Sequence, residues 1–249
     1  MKKKIFSGKM IALLAAAGVL LAGSAVGSTR AALTYYSENY GAEISVPSIG
    51  VSLVENGTVV SSRDYEGDGW SETSGELLTK MLAEGEKLTL GKPYEEALSV
   101  ANSGTIDSFV RVILTKSWTD AEGTKDTSLS PDLIDLNLLT DNGWVVDADA
   151  STAERTVLYY TSAVPAGEST APFSDTLSID PSVGTKVENR TESTDADGNR
   201  TITTTFSYDG YRFTLEAEVN AVQTHNAEEA LRSAWGVDVT SDGNTISLN

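Results

Sequence analysis

A net charge of −18 over 249 residues, from 36 acidic against 18 basic side chains, repels phosphate backbones and anionic headgroups and disfavours nucleic acid as a partner. One histidine and no cysteine exclude disulfides, thiol nucleophiles and most zinc mechanisms. So acidic a surface is the ordinary mark of a solvated exterior.

In chain order, Lys2, Lys3, Lys4 and Lys9 precede an apolar run from Met10 to about Val26, and small residues follow. A basic start, a short apolar stretch and small residues predict a cleavable secretory signal over 1–34. Only 13 residues separate Met10 from Ala22, inclusive, short of the roughly 20 that a helical span needs. Removing 1–34 leaves 13 basic against 36 acidic residues, a net charge of −23. Export without cysteine means that a core must hold the fold, and about 215 residues suffice for one large sandwich. The ending Ser247-Leu248-Asn249 carries neither a wall-sorting nor a lipid-attachment signal, so the expectation is a secreted protein with no membrane partner after cleavage.

Beyond the cut, apolar residues fall on even numbers at Ile44 and Val46 and on odd ones at Ile49, Val51 and Leu53. The parity changes at Pro47, which cannot donate to a strand ladder, and a one-residue shift exchanges faces. Two strand pieces are expected. The first, over 35–47, has no local partner, and a free extended terminus is able to add to a sheet edge. The second enters a hairpin through Asn56-Gly57, with Leu53 opposite Val60.

Further strands are expected at 87–90, 97–101, 108–118, 133–139, 144–146, 156–162 and 172–179, punctuated by turn residues. Period-two alternation from Tyr211 to Ala221 marks a half-buried strand. With Asp209-Gly210 before it, it predicts a hairpin pairing Tyr208 with Tyr211 and Phe206 with Phe213. Helix is expected only at 75–84 and from Asn226, a candidate N-cap, to Trp235, with Gly236 ending it. The segments 83–86 and 165–168 share an x-Gly-Glu turn, read as one loop type used twice. The pattern predicts an all-β fold: an antiparallel β-sandwich of jelly-roll type with one or two short helices.

Few residues carry chemistry. His225 reads as a cap or surface residue, and no His-Glu-x-x-His helix, nucleophile elbow or phosphate loop occurs. A glycosidase carboxylate pair cannot be picked from so many acids. Two acidic loops, with Asp64, Glu66 and Asp68 in one and Asp195, Asp197 and Asn199 in the other, offer oxygen spacing that suits calcium. Arg200 and Phe206 stand where an EF-hand needs its glycine and its last acid, so the plain reading of both loops is a solvated hairpin tip. No other metal and no cofactor is expected.

The stretch Ala31-Ala32-Leu33-Thr34-Tyr35-Tyr36-Ser37-Glu38-Asn39 resembles the aromatic-Ser-acidic motif at the cleavage site of TasA and camelysin-like proteins. A Gly-Glu turn at 84–86, an Asn102-Ser103-Gly104 turn with the strand 109–114, and a late strand ending at Gln223 follow in the family's order. Leu33-Thr34 and an acidic insert at 63–70 depart from it. The resemblance implies processing by a SipW-type signal peptidase within Ala31, Ala32, Leu33, Thr34 and Tyr35, a jelly roll, and a non-enzymatic role as an extracellular matrix or biofilm fibre subunit. It also implies self-assembly by a donated N-terminal strand, here Tyr35, Tyr36, Tyr40, Ile44 and Val46, with 48–249 as the sandwich domain. The alternative expectation is a secreted adhesin that meets a glycan through Trp70, Trp118 and Trp144, if these indoles share one exposed face.

Overall fold

The computed structural model describes residues 48–66, 69–185, 187–194, 200–208 and 210–249. The leader, the cleavage region, the donor segment with its break at Pro47, Asp68 of the first acidic loop, Asp195, Asp197 and Asn199 of the second, and Asp209 lie outside the described residues.

The chain opens with β1 (Gly50–Glu55), β2 (Thr58–Glu66) and β3 (Gly69–Thr73). After a stretch of turns come β4 (Tyr94–Glu95), β5 (Leu98–Ala101), β6 (Ser108–Thr119) and β7 (Lys125–Asp126). The middle holds β8 (Ile134–Leu138), β9 (Trp144–Val146), β10 (Arg155–Tyr160) and β11 (Ser174–Ile179). A hairpin of β12 (Val187–Thr194) and β13 (Arg200–Phe206) leads to β14 (Arg212–Gln223), α1 (Ala227–Trp235), β15 (Val239–Ser241) and β16 (Ile246–Leu248).

These strands pair antiparallel in an all-β sandwich. One sheet runs β3-β2-β1-β5, a second β14-β6-β10-β9 with β7 on the end of β6, and a third β4-β11-β8. Amides of Thr170 and Phe173 bond the carbonyls of Val100 and Leu98 at 2.8 Å each, which ties the third sheet to the first. The main core collects Val51 and Leu53, Leu98 and Val100, Val110, Val112 and Leu114 from strands of both layers. Such period-two faces are what a half-buried strand buries. A smaller cluster, with Phe109, Val222, Leu231 and Ile246, seats α1 and the β15–β16 hairpin against the end of the β6–β14 pair.

The Asn56-Gly57 hairpin forms: both residues have positive φ, 48° and 74°, as a type I′ turn requires. Its register differs from expectation. Val54 faces Val59, but a bulge follows and Leu53 faces Ser61 rather than Val60. The hairpin through residues 209–210 does not form as a strand pair. The two tyrosine rings do meet, 5.1 Å apart, yet β13 pairs with β12 and β14 pairs with β6 along twelve residues. A long partner with a matching buried face outweighs one turn signal.

Other expectations need correction. Residues 87–90 are not a strand and 75–84 are turns rather than a helix, although Leu77, Leu78, Leu88 and Leu90 still pack on the core. The strands β3, β4, β7, β12, β15 and β16 lie outside the strands expected from the sequence. The helix at 227–235 stands, ended by Gly236 at φ 71°, but Asn226 sits left-handed and makes no side-chain capping bond. The two x-Gly-Glu turns share one geometry: Gly85 and Gly167 both have φ 78°, and each following glutamate amide bonds back to the residue three before it.

Candidate functional site

The first feature is an edge. β14 is hydrogen-bonded to β6 from Arg212, opposite Thr119, to Gln223, opposite Ser108. Among the described residues no strand pairs with its other side. Backbone groups of alternate residues along that side are therefore left for water or for another strand. Its inward face carries Phe213, Leu215, Ala217, Val219 and Ala221, of which only Leu215 is fully buried.

The first sheet, β3-β2-β1-β5, carries a row of cross-strand partners on its core-facing side. Cross-strand pairing sets Ser61 beside Leu53 and Arg63 beside Val51, then Glu72 beside Arg63 and Trp70 beside Tyr65. Direct partners share a face, so this row extends the face that carries core residues Val51 and Leu53. Yet Trp70 at its far end is 53% exposed. Arg63 lies 4.7 Å over the indole and 2.8 Å from Glu72, and the Tyr65 ring meets the indole edge-on at 5.3 Å. A groove of about 590 Å³ follows, lined by Leu53, Ser61, Leu77, Leu78, Phe213 and Leu215 among others. Its lining comes from β1, β2, the segment 74–78 and β14.

The second feature is a pair of buried acids at the end of this layer. Val51, Leu53 and Glu55 alternate along one strand; Tyr94, Glu96, Leu98 and Val100 alternate along the chain that leads into its antiparallel neighbour β5, with Leu98 opposite Glu55. Each glutamate thus continues an apolar face. Glu96 is 0% exposed and Glu55 8%. The Glu96 backbone is fixed, its amide bonded to the Asp175 carbonyl at 2.8 Å and its carbonyl accepting from Ser174 Oγ at 2.7 Å. Both Glu96 side-chain oxygens are buried and lack a conventional hydrogen-bond donor. Burial first, and the neighbouring Glu55 second, push the Glu96 carboxyl up to about 8. A proton on Glu96 turns the contact with Glu55 into a hydrogen bond. Glu55 Oε1 in turn accepts from the Leu78 amide at 2.6 Å, so the pair reaches the groove lining.

The residues singled out from sequence are scattered. Asp64 is half-buried and accepts from Ser103 Oγ, away from any described carboxylate cluster; among the described residues no three ligating side chains gather. Trp118 and Trp144 are core residues, 3% and 0% exposed, so the three indoles do not form one exposed face. His225 is on the surface. Asn102, from the Asn-Ser-Gly turn, is buried and donates to the Ile106 and Val164 carbonyls at 2.8 Å each while accepting from the Gly104 amide at 3.0 Å. The turn is a structural staple. Among the described residues no helix is long and apolar enough to cross a membrane.

Glu55 and Glu96 escaped the sequence reading, although alternation through 51-53-55 and 94-96-98-100 was the signal that could have found them. No family model, no curated protein and no solved structure matches the chain.

Proposed function

We propose that this chain is a secreted, non-enzymatic structural subunit that assembles into extracellular fibres, a TasA-like matrix protein of jelly-roll type released by a SipW-type peptidase. In this reading the partner is a second copy of the chain. The segment 35–47 leaves one subunit and is added as a strand to β14 of the next. One observation carries it: along twelve residues β14 is paired on one side only among the described residues, beside a groove lined by Leu53, Leu78 and Leu215. β-Strand addition draws on such edges, with main-chain bonds giving affinity and side-chain pockets giving register. Thirteen extended residues reach about 43 Å, enough to cross a neighbouring sheet. Alternating Ile44 and Val46 suit a groove floored by Leu53.

Electron microscopy tests this on the chain beginning at Tyr35 against one beginning at Ser48. Filaments from the first and none from the second are expected; filaments from both, or from neither, contradict it. A glycan-binding adhesin is the second reading, and it rests on Trp70 with Arg63 and Tyr65 around it. Glycan-array binding lost in Trp70→Ala, with filaments unchanged, would favour that reading.

A further inference from the structure

The groove lining contains a strained residue. Leu78 has φ 66°, the left-handed region that a branched side chain rarely enters. Such a conformation persists only where its surroundings over-determine it. Here the segment 74–78 is held at two points. Gly75 lies so close to β2 that a Cβ there would meet the Val60 carbonyl oxygen at 2.3 Å. Three residues on, the Leu78 amide donates to Glu55 Oε1. The first contact is steric and fixed. The second depends on where the Glu55 carboxylate stands, and that depends on Glu96.

The charges around the pair are few. Glu55, on β1, is the charge that acts on Glu96 among the described residues. On β11 the Asp175 carboxylate turns instead to Asn137 Nδ2 and Thr176 Oγ1. On the chain of Glu96 itself, Glu95 is exposed, and the Tyr94 ring lies under Lys92 with its hydroxyl accepting from the Thr89 amide. Lys92 is committed to Glu86 at 2.7 Å. No described cation offsets a second negative charge in the pair. Ionised together, the two carboxylates repel across a buried contact where the local dielectric is low.

We propose that Glu55 and Glu96 form a proton-operated latch on the groove: the shared proton keeps Glu55 where it holds the Leu78 amide, and its loss releases the segment 74–78 from the lip of the groove. Protonated, Glu96 donates to Glu55 and Glu55 accepts from Leu78, a chain of two bonds that compensates the left-handed backbone. Deprotonated, Glu96 drives Glu55 away, the Leu78 amide loses its acceptor, and the strained residue relaxes. Leu77 and Leu78 then leave the wall that faces Phe213 and Leu215. As a control on strand entry the latch rests on the reading of β14 as an acceptor edge; as a motion of the segment 74–78 it does not.

Hydrogen exchange of the full chain, corrected for intrinsic rates, tests it at pH 6 and pH 9. Protection at the Leu78 amide is expected to fall at least tenfold at pH 9 while the amides of β6 hold constant. Glu96→Gln, whose amide donates to Glu55 at any pH, is expected to keep the protection at pH 9. Glu55→Gln retains an acceptor for Leu78 without the charge and is expected to abolish the fall as well. Equal protection of the native chain at both pH values overturns the latch, and so does the same fall in both variants. Restoration by 1 mM calcium at pH 9 overturns it in favour of a cation site. Filament formation scored on the same samples separates the two ideas: a working latch without filaments removes the acceptor reading, and filaments without a latch remove only the latch.

Discussion

Two tryptophans divide the sandwich into a finished flank and an unfinished one. Trp144, on the edge strand β9, is wholly buried between the Tyr160 and Phe173 rings, 5.1 and 5.3 Å away, and its indole nitrogen donates to the Ala171 carbonyl at 2.8 Å. Trp70, on the edge strand β3, lies on a core-facing row but is half out in solvent, with Arg63 and Tyr65 against its ring. Both sit on short edge strands, so strand position does not set the difference. What differs is the cover. On the Trp144 side loop residues Ala171–Phe173 close over the edge; on the Trp70 side the indole stays half exposed. A closed flank stabilises the subunit, whereas an open one leaves apolar and backbone groups for a partner.

The largest expected effect is on the closed flank. Trp144→Ala empties a fully buried site and should cost about 3–5 kcal/mol in urea unfolding. A loss under 1 kcal/mol would show that this flank is no better packed than the other.

Next comes pH. The ordinary value for Glu96 is 4.5 and its folded value is about 8, with burial the main cause and Glu55 the second. Between these limits the folded state keeps a proton that the unfolded chain has released. Stability therefore falls as pH rises through that window and levels off above it. At about 1.4 kcal/mol for each pH unit, the loss is on the order of a few kcal/mol. Urea midpoints from pH 5 to 8.5 should drop for the native chain and lie nearly flat for Glu96→Gln. Parallel curves would mean that the carboxyl is not held protonated.

The smallest stability effect is expected on the open flank. Trp70→Ala should change unfolding by less than about 1 kcal/mol, because the ring is half solvated and pairs only across one edge ladder. The same change should raise the protein concentration needed for filaments, measured by sedimentation. A large loss of stability with unchanged assembly would reverse the roles of the two flanks.

How far the sequence speaks for itself depends on whether a signal is local and on what it is buried against. Asn56-Gly57 was legible because both flanking strands also pair with each other. The turn through Asp209 and Gly210 misled, because β14 finds a longer ladder on β6 some hundred residues earlier, which no turn dipeptide reveals. β3 and β12 gave no alternation, since every described side chain on them is exposed and polar residues serve on both faces. Residues 87–90 alternated without being a strand, because Leu88 and Leu90 pack on the core from a turn-rich loop. The groove was invisible for a stronger reason: its lining comes from β1, β2, the segment 74–78 and β14, which are far apart in the chain. The acid pair was half legible, each glutamate standing in an apolar series, but only the pairing of β1 with β5 brings the two together.

The measurement that tests the open edge most directly is amide exchange along β14, residue by residue, in the isolated subunit and in filaments. Alternate amides of an edge strand point at its one partner and the others point away. In the subunit every second amide from Arg212 to Gln223 should exchange fast, and in filaments all of them should be protected. Uniform protection in the isolated subunit, or alternation that survives in filaments, would contradict β14 as the acceptor.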